Sequence, residues 1–559
     1  MNLSATLPSV APVLPPVPSA RSTTEQLACI NWTHQSSGNL LIEAVAGSGK
    51  TTTIIEMIIA INLHYPTARI ALMSFNAKVR DELKLRVRDR RIQNCDVNTV
   101  HGFGFAAFKE KYGSRKPNSY KLQDIFEPLL KKAGLDWKLN KTLCTLVGLA
   151  KDTGVGVFGD FSFNDWKALI DKHNLSWDEE KCSLDALIVL AAQGFNASNV
   201  DREKIDFSDM IYFPLLDNLP FPEYDFVFID EAQDTNATRR EVAKRMLRQP
   251  ALCNNRQPHN FTTDLEYDPT GQTINCERCG CSQEEINSRI GRLIAVGDRH
   301  QAIYGFTGAD NDALDILKRT FSMTELPLSI CFRCSHAVLA HARKLVSHIH
   351  PAPDAPAGSV LTKTQPDFES YLFTLPSDPT LQTSAILCRK NAPLISLAFR
   401  LLRAQIPCRI EGRDIGQQLI HLCRKFKPTS KPDLASSLHT HLTQQSSKLS
   451  TFKLSILEDT IHSILTVLAL PSVLSIDDLY RKIELLFSDY DPALPPRLTL
   501  SSIHKSKGLE WPTVYLLGRN IWQPSPFATL PWMQAQETNL TYVAITRAKL
   551  TLIEVTVEE

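Results

Sequence analysis

Short unbroken apolar runs alternate with stretches of helical periodicity along most of this 559-residue chain. The runs ending at Ala44 and at Ile229 have the length and continuity of strands buried on both faces. A helical pattern opens at Lys50 after the first of them and continues through Ala60. Repeated alternation of this kind predicts an α/β fold, in lobes built on mostly parallel sheets. The pattern changes in two places. From Gly102 to Leu215 it is rich in helix, and from Ala251 to Gln283 it is polar. Residues 1–21, with prolines at positions 8, 12, 15, 16 and 18, predict a disordered tail.

The turn after the first run carries chemistry. Ala46, Gly47, Ser48, Gly49, Lys50, Thr51 and Thr52 join a strand to a helix N-terminus, an arrangement that cradles a triphosphate. Gly47 and Gly49 let backbone N–H groups turn inward, Lys50 reaches the outer phosphates, and the Thr51 hydroxyl ligates magnesium. Ala44 stands where the pattern G-x-x-x-x-G-K-[ST] has its first glycine, a change the turn absorbs if φ stays negative. The run ending at Ile229 leads into Asp230, Glu231, Gln233 and Asp234. At the carboxyl end of a neighbouring parallel strand, Asp230 would hold magnesium while Glu231 orients and deprotonates a water. A solvated acidic loop is the plain alternative for the pair alone, and it loses force beside the cradle.

Composition narrows the remaining choices. With 61 basic and 60 acidic residues there is no polycationic character, so any nucleic-acid surface is local. The basic stretch Lys78 to Arg91 is one candidate, although its leucines and acids equally suit an ordinary amphipathic helix. At one domain per roughly 150 residues the chain would hold about four units. No signal-like segment or membrane-length apolar run is visible, which predicts a soluble, cytoplasmic protein without membrane contact. Most of the thirteen cysteines, Cys29, Cys144, Cys331 and Cys388 included, are expected to be reduced packing residues. The exception is Cys276-x-x-Cys279-Gly, which with two of Cys253, His259 and Cys281 would form a tetrahedral zinc site; a loop with reduced thiols is the alternative.

Further motifs follow in order: Thr24 to Gln26, Ser74 to Lys78, Thr99 to Phe103, Asp206 to Met210, Val296 to Ala309, Phe332 with Arg333, Leu500 to Trp511, and Glu537 to Ala548. Together with the cradle and the acid pair, the series resembles the UvrD/Rep family of superfamily 1 helicases, across nearly the entire chain. The resemblance implies two RecA-like lobes with ATP between them. It implies that Gln26 reads adenine, Phe332 is the adenine platform, and Glu510 contacts the ribose. Gln301, Arg333 and the arginine finger Arg547 would serve the γ-phosphate. Single-strand contacts fall to Phe75, Asn76, His101, Tyr304, Phe306 and His504. Stacking on Tyr304 and Phe306 is independently reasonable, because an aromatic face accepts any base. Thr307 and Thr53 depart from arginines common in relatives.

By the same resemblance the first lobe comprises 22–101 and 216–325, interrupted by the cysteine-containing 251–283. A helical accessory domain occupies 102–215, the second lobe 326–414 and 497–559, and a reduced second accessory domain 415–496. The implied activity is an ATP- and Mg2+-dependent translocase on single-stranded DNA that separates tailed duplexes, with 3'-5' polarity. Two alternatives stay open: a nucleotide-dependent sensor or scaffold without productive unwinding, and an RNA helicase, since no residue pattern identifies a ribose hydroxyl reader. The sequence points to no particular protein partner.

Overall fold

The computed structural model describes residues 22–249, 290–305, 308–374 and 379–558, apart from short breaks at 405, 407, 412, 447–450, 487–496 and 527. The expected tail and all five candidate zinc ligands, Cys253, His259, Cys276, Cys279 and Cys281, lie outside the described residues, as does Phe306. By contact the chain forms two units, the first running to Leu328 and the second containing Ser329–Glu559. Two short segments, Val45–Ser48 and His300–Ile303, cluster with the second.

The first unit is built on six strands: β1 (Leu40–Ala44), β2 (Ile70–Ser74), β3 (Cys95–Thr99), β4 (Phe226–Ile229), β5 (Arg292–Gly297) and β6 (Thr324–Leu328). Their order is β3-β2-β4-β5-β1-β6, and every pairing is parallel. Alternate residues feed opposite faces. Leu40, Ile42, Ile70, Leu72 and Phe228 join one apolar cluster, with Ile54 and Ile58 of the helix Lys50–His64. Leu41, Ala71, Met73, Val227 and Ile229 join the other. Burial on both faces is why these strands read as unbroken apolar runs. The helix Ala77–Asp89 turns Leu83 and Val87 inward and leaves Lys84, Arg86 and Arg88 exposed, the amphipathic form of that basic stretch.

Between β3 and β4 the described chain is helical. The helices Lys121–Ala133, Leu139–Thr153, Phe163–Lys172 and Leu184–Val200 enclose a cluster containing Phe126, Leu143, Leu146, Trp166, Leu187 and Phe195. Four charges are buried there. Lys121 Nζ donates to Asp209 Oδ2 at 2.7 Å; Lys151 Nζ donates to Asp209 Oδ1 at 2.6 Å and to Asp206 Oδ2 at 2.7 Å. Asp206 and Asp209 also accept each other's backbone N–H, which locks the turn between them.

In the second unit, β7 (Ser359–Thr364), β8 (Ser384–Cys388), β9 (Cys408–Ile410), β10 (Leu498–Ser502), β11 (Trp511–Leu517) and β12 (Ala548–Thr556) form a second all-parallel sheet, ordered β9-β10-β8-β11-β12-β7. The helices Arg413–Lys425, Lys431–Ser446, Thr451–Leu468 and Ile476–Leu486 share its core. Leu434, Leu438, Ile464 and Ile483 belong to the same apolar cluster as Ile386, Leu500 and Tyr515. The α/β class with parallel sheets is therefore as the sequence pattern indicated. Among the described residues, no helix is long and apolar enough to cross a membrane.

Removing one member of the buried ion cluster strands the others in an apolar interior. Asp209→Ala leaves the Lys121 ammonium without its carboxylate and Lys151 with only one, and should lower stability by about 3–5 kcal/mol. Urea unfolding followed by circular dichroism checks this; a midpoint equal to that of the wild type would show that the cluster contributes nothing.

Candidate functional site

In the first unit the carboxyl ends of parallel strands open on one edge, and the loops that leave them carry the predicted residues. After β1, Gly49 adopts φ +80 and caps the helix Lys50–His64, as a phosphate-facing turn requires. Ala44 ends β1 outside the positive-φ residues, so the missing glycine costs the turn nothing. Gln26 lies against the turn. Its Oε1 accepts from the Thr23 N–H at 3.0 Å, and its Nε2 stands 3.0 Å from where a Cβ on Gly49 would project. A side chain at position 49 would fill this space.

After β4 come the two acids. Asp230 is buried, and Glu231 adopts the left-handed conformation at φ 54. Burial first and then the Glu231 charge push the Asp230 carboxyl up to about 7, while Lys50 pulls the other way. Two adjacent carboxylates, near a lysine and with a Thr51 hydroxyl in the preceding turn, form an oxygen donor set suited to a hard divalent cation. Gln233 fixes the pair. Its Nε2 donates to Glu231 Oε2 at 2.5 Å and its Oε1 accepts from the Asp298 N–H at 3.0 Å, tying the loops after β4 and β5.

The same edge carries rings. Phe75, after β2, stacks on Tyr304 with centroids 5.4 Å apart and planes 17° from parallel. His101, after β3, stacks on Phe207 at 4.0 Å, and Phe207 is 60% exposed. The guanidinium of Arg239 lies 5.6 Å from the Phe75 ring centroid, and its Nη1 donates to the Asp234 carbonyl at 2.7 Å. Phe75, His101, Asp230, Glu231 and Arg239 line one small cavity. Asn76 is placed differently from a free strand contact: its Oδ1 accepts from the Val79 N–H at 2.9 Å and caps the helix Ala77–Asp89.

In the second unit, predicted residues occupy both edges of the sheet. Glu510 and Arg547 immediately precede β11 and β12, and the Trp511 N–H donates to the Arg547 carbonyl at 3.0 Å. Arg333 Nε and Lys549 Nζ each lie 2.5 Å from Glu510. Burial opposes the Glu510 charge, but these two cations outweigh it and hold the carboxyl below its ordinary range. Arg547 is buried, donating to the carbonyls of Val543 at 3.2 Å and Leu509 at 3.1 Å. At the opposite, carboxyl edge, His504 follows β10 and Arg389 follows β8; Arg389 forks onto Glu537. The segments that cluster here join in: the Ala46 N–H donates to the Tyr542 hydroxyl at 3.0 Å, the Phe332 N–H to the Gly47 carbonyl at 2.9 Å, and Lys507 Nζ to the Gln301 carbonyl at 2.8 Å. Ser48 is buried beside them, and Thr52 stays exposed on the first helical turn.

Two family models match this chain: the UvrD/REP helicase N-terminal domain over residues 23–254 and the UvrD-like helicase C-terminal domain over residues 424–559. Together they cover about two thirds of it. The chain belongs to the UvrD/Rep-like superfamily 1 helicases. Among individual relatives, F-box DNA helicase protein 1 of Schizosaccharomyces pombe is 24% identical over 95% of this chain and 57% of its own length. ATP-dependent DNA helicase Rep of Buchnera aphidicola is 23% identical over 56% of this chain and 42% of its own. A probable DNA helicase II homolog of Mycoplasma genitalium is 22% identical over 54% and 40%. The chain thus spans about half the length of the curated relatives it matches.

For this UvrD/Rep-like chain, sequence reasoning passed over Gln233, Phe207 and Arg239. Gln233 stood in plain view within the acidic motif, and Phe207 stood between the two aspartates of Asp206 to Met210. Only the fold reveals that one bridges two loops and the other covers His101.

His101 is held neutral. Burial first and then Arg239 pull its pKa down to about 3, so protonation is opposed through the physiological range. Its ring NMR signals should show no titration between about pH 5 and 8; an inflection near 6.5, the ordinary value, would mean that the ring is solvated and uncovered.

Proposed function

We propose that this chain is an ATP-dependent DNA helicase that translocates on single-stranded DNA, with 3'-5' polarity, and unwinds tailed duplexes. One observation carries the reading: the acid pair lines one small cavity together with Phe75 and His101, the rings that stack on Tyr304 and Phe207, so groups suited to hydrolysis and to gripping bases are immediate neighbours. Lys50 and the backbone N–H groups of the cradle bind the phosphates, while Gln26 stands beside them to read the base. When bound, magnesium neutralises phosphate charge and takes the Thr51 hydroxyl and the Asp230 carboxylate as its protein ligands. Glu231, aimed by Gln233, orients a water and accepts its proton. Arg333, Arg547 and Gln301 are the groups this reading assigns to the γ-phosphate. Phe332 takes the adenine face, and Glu510 the ribose. Phe75, Tyr304 and Phe207 stack bases without regard to sequence; His101 and His504 contribute further contacts. All three relatives are named as DNA helicases, which favours DNA over RNA.

Glu231→Gln should bind ATP and DNA yet hydrolyse about 10²–10⁴-fold more slowly, the usual contribution of a general base. Steady-state hydrolysis and strand displacement on DNA and RNA duplexes tailed at either end test the reading. Normal turnover in Glu231→Gln would remove the water-activating role, and efficient hydrolysis without displacement of any duplex would favour a sensor.

Phe75→Ala, Tyr304→Ala and Phe207→Ala should each weaken single-strand binding by about 1–3 kcal/mol, the worth of one stacked base. Fluorescence anisotropy with a labelled oligonucleotide measures this. Unchanged affinity with reduced thermal stability would show the rings to be packing residues.

A further inference from the structure

The helices Arg413–Lys425, Lys431–Ser446 and Ile476–Leu486 border a cavity of about 810 Å³, and none of the residues proposed for nucleotide or strand lines it. Its size falls in the range of small-ligand sites, roughly 300–1,000 Å³. The wall combines three cations, Arg424, Lys427 and Lys431, with one acid, Asp477, and with the apolar surfaces of Leu474 and Tyr480.

The three cations are left available. Among the described residues none of them forms an ion pair, although Asp477 stands on the same wall. The Arg424 guanidinium lies 5.2 Å from the centroid of the Tyr480 ring, a stack that orients its N–H groups without using them. Lys431 Nζ donates to the Val473 carbonyl at 2.5 Å, one of the three bonds an ammonium can make. Lys427 has no side-chain partner among the described residues. Its backbone is left-handed at φ 47 just past the end of the helix Arg413–Lys425, and its N–H donates to the Arg424 carbonyl at 3.1 Å. Glycine is the usual residue in such a position, so a lysine there carries strain that glycine would avoid.

The neighbouring acids are engaged elsewhere. Asp433 Oδ2 accepts from the Thr429 N–H at 2.8 Å and hydroxyl at 3.0 Å, and Asp478 Oδ2 accepts from the Ser475 N–H at 3.0 Å and hydroxyl at 2.9 Å. Ser430, also on the wall, accepts from the Asp433 N–H at 3.3 Å and keeps its hydroxyl proton to give. Three cations and a hydroxyl donor around one cavity suit an anion with several oxygens, as a phosphoryl group is. A nucleic-acid backbone presents its phosphates in a row; these cations share one cavity and have apolar surface beside them, which fits a small molecule.

We propose that this cavity is a binding site for a small organic phosphate. Arg424, Lys427 and Lys431 hold the phosphoryl oxygens, Ser430 donates its hydroxyl proton to one of them, and Leu474 and Tyr480 meet the apolar portion. A ligand seated there would tie the starts of the helices Lys431–Ser446 and Ile476–Leu486 to the end of Arg413–Lys425.

Phenyl phosphate is a suitable probe, since it joins one phosphoryl group to one apolar ring. In titration calorimetry the full-length protein should bind it more tightly than it binds inorganic phosphate. Lys50→Ala should keep this binding, which separates the site from the phosphate cradle. Arg424→Ala combined with Lys427→Ala should weaken it about tenfold for each cation removed, and Arg424→Lys combined with Lys427→Arg should restore most of it. Both side chains are exposed, so an unchanged circular dichroism melting curve should accompany the loss. Undiminished affinity in the double alanine variant overturns the site, as does binding that disappears in Lys50→Ala alone. Equal affinity for phenyl phosphate and inorganic phosphate overturns the organic character of the ligand. Displacement of the probe from the Lys50→Ala protein by a short blunt DNA duplex makes the occupant a nucleic-acid backbone and overturns the small-molecule assignment.

Discussion

Every strand pair in both six-stranded sheets is parallel, and the placement of chemistry follows from that constraint. Parallel neighbours cannot be joined by a hairpin, so each connection crosses over a face of the sheet and buries it, and all carboxyl ends emerge on the same edge. In the first unit this edge collects the cradle after β1, Phe75 after β2, His101 after β3 and the acids after β4. The second sheet follows the same rule: Glu510 and Arg547, proposed for the nucleotide, precede their strands, and His504, proposed for the nucleic-acid strand, follows its own, on the opposite edge of the sheet.

The legible parts of the fold are those where burial leaves a mark on composition. β1 and β4 are apolar without interruption because both of their faces are covered, and the helix from Lys50 announces itself by the glycine turn before it. β7 gives no such signal. It is an edge strand, Ser359–Thr364, half exposed and carrying Lys363 and three hydroxyl residues, and β9 has only three residues. The site divides in the same way. Cradle and acids are contiguous strings, readable at a glance. The exposure of Phe207 depends on Asp206 and Asp209 being pinned by Lys121 and Lys151, residues far back in the chain that no local pattern connects to it. Asn76 shows the reverse case, where a residue read as a strand contact also has the N-cap duty that its type and position favour.

Two groups of buried charge in the first unit obey the same physics with opposite results. In the helical portion, two ammonium groups meet two carboxylates, and backbone N–H groups take up remaining lone pairs, so the cost of desolvation is offset within the cluster. Asp230 and Glu231 are like charges placed side by side, and the protein leaves Asp230 with its proton affinity raised. A structural cluster closes its own balance; the acid pair sets like charge beside like charge and does not.

Arg239 explains how the acid pair and the rings come to act on one another. Its guanidinium lies over Phe75 and helps keep His101 neutral, while its Nη1 holds the carbonyl of Asp234. The Asp234 N–H in turn donates to the Glu231 carbonyl at 3.0 Å, closing the short turn in which Glu231 takes its left-handed conformation. A base that stacks on Phe75 must therefore share that ring with the side chain that braces the Glu231 turn. The link is made of one cation, two carbonyls and one backbone N–H, all within a single unit. The strand contact and the water activation proposed here would share these atoms as well as a sheet edge, and the parallel sheet is what brings β2, β3 and β4 close enough for a single arginine to span them.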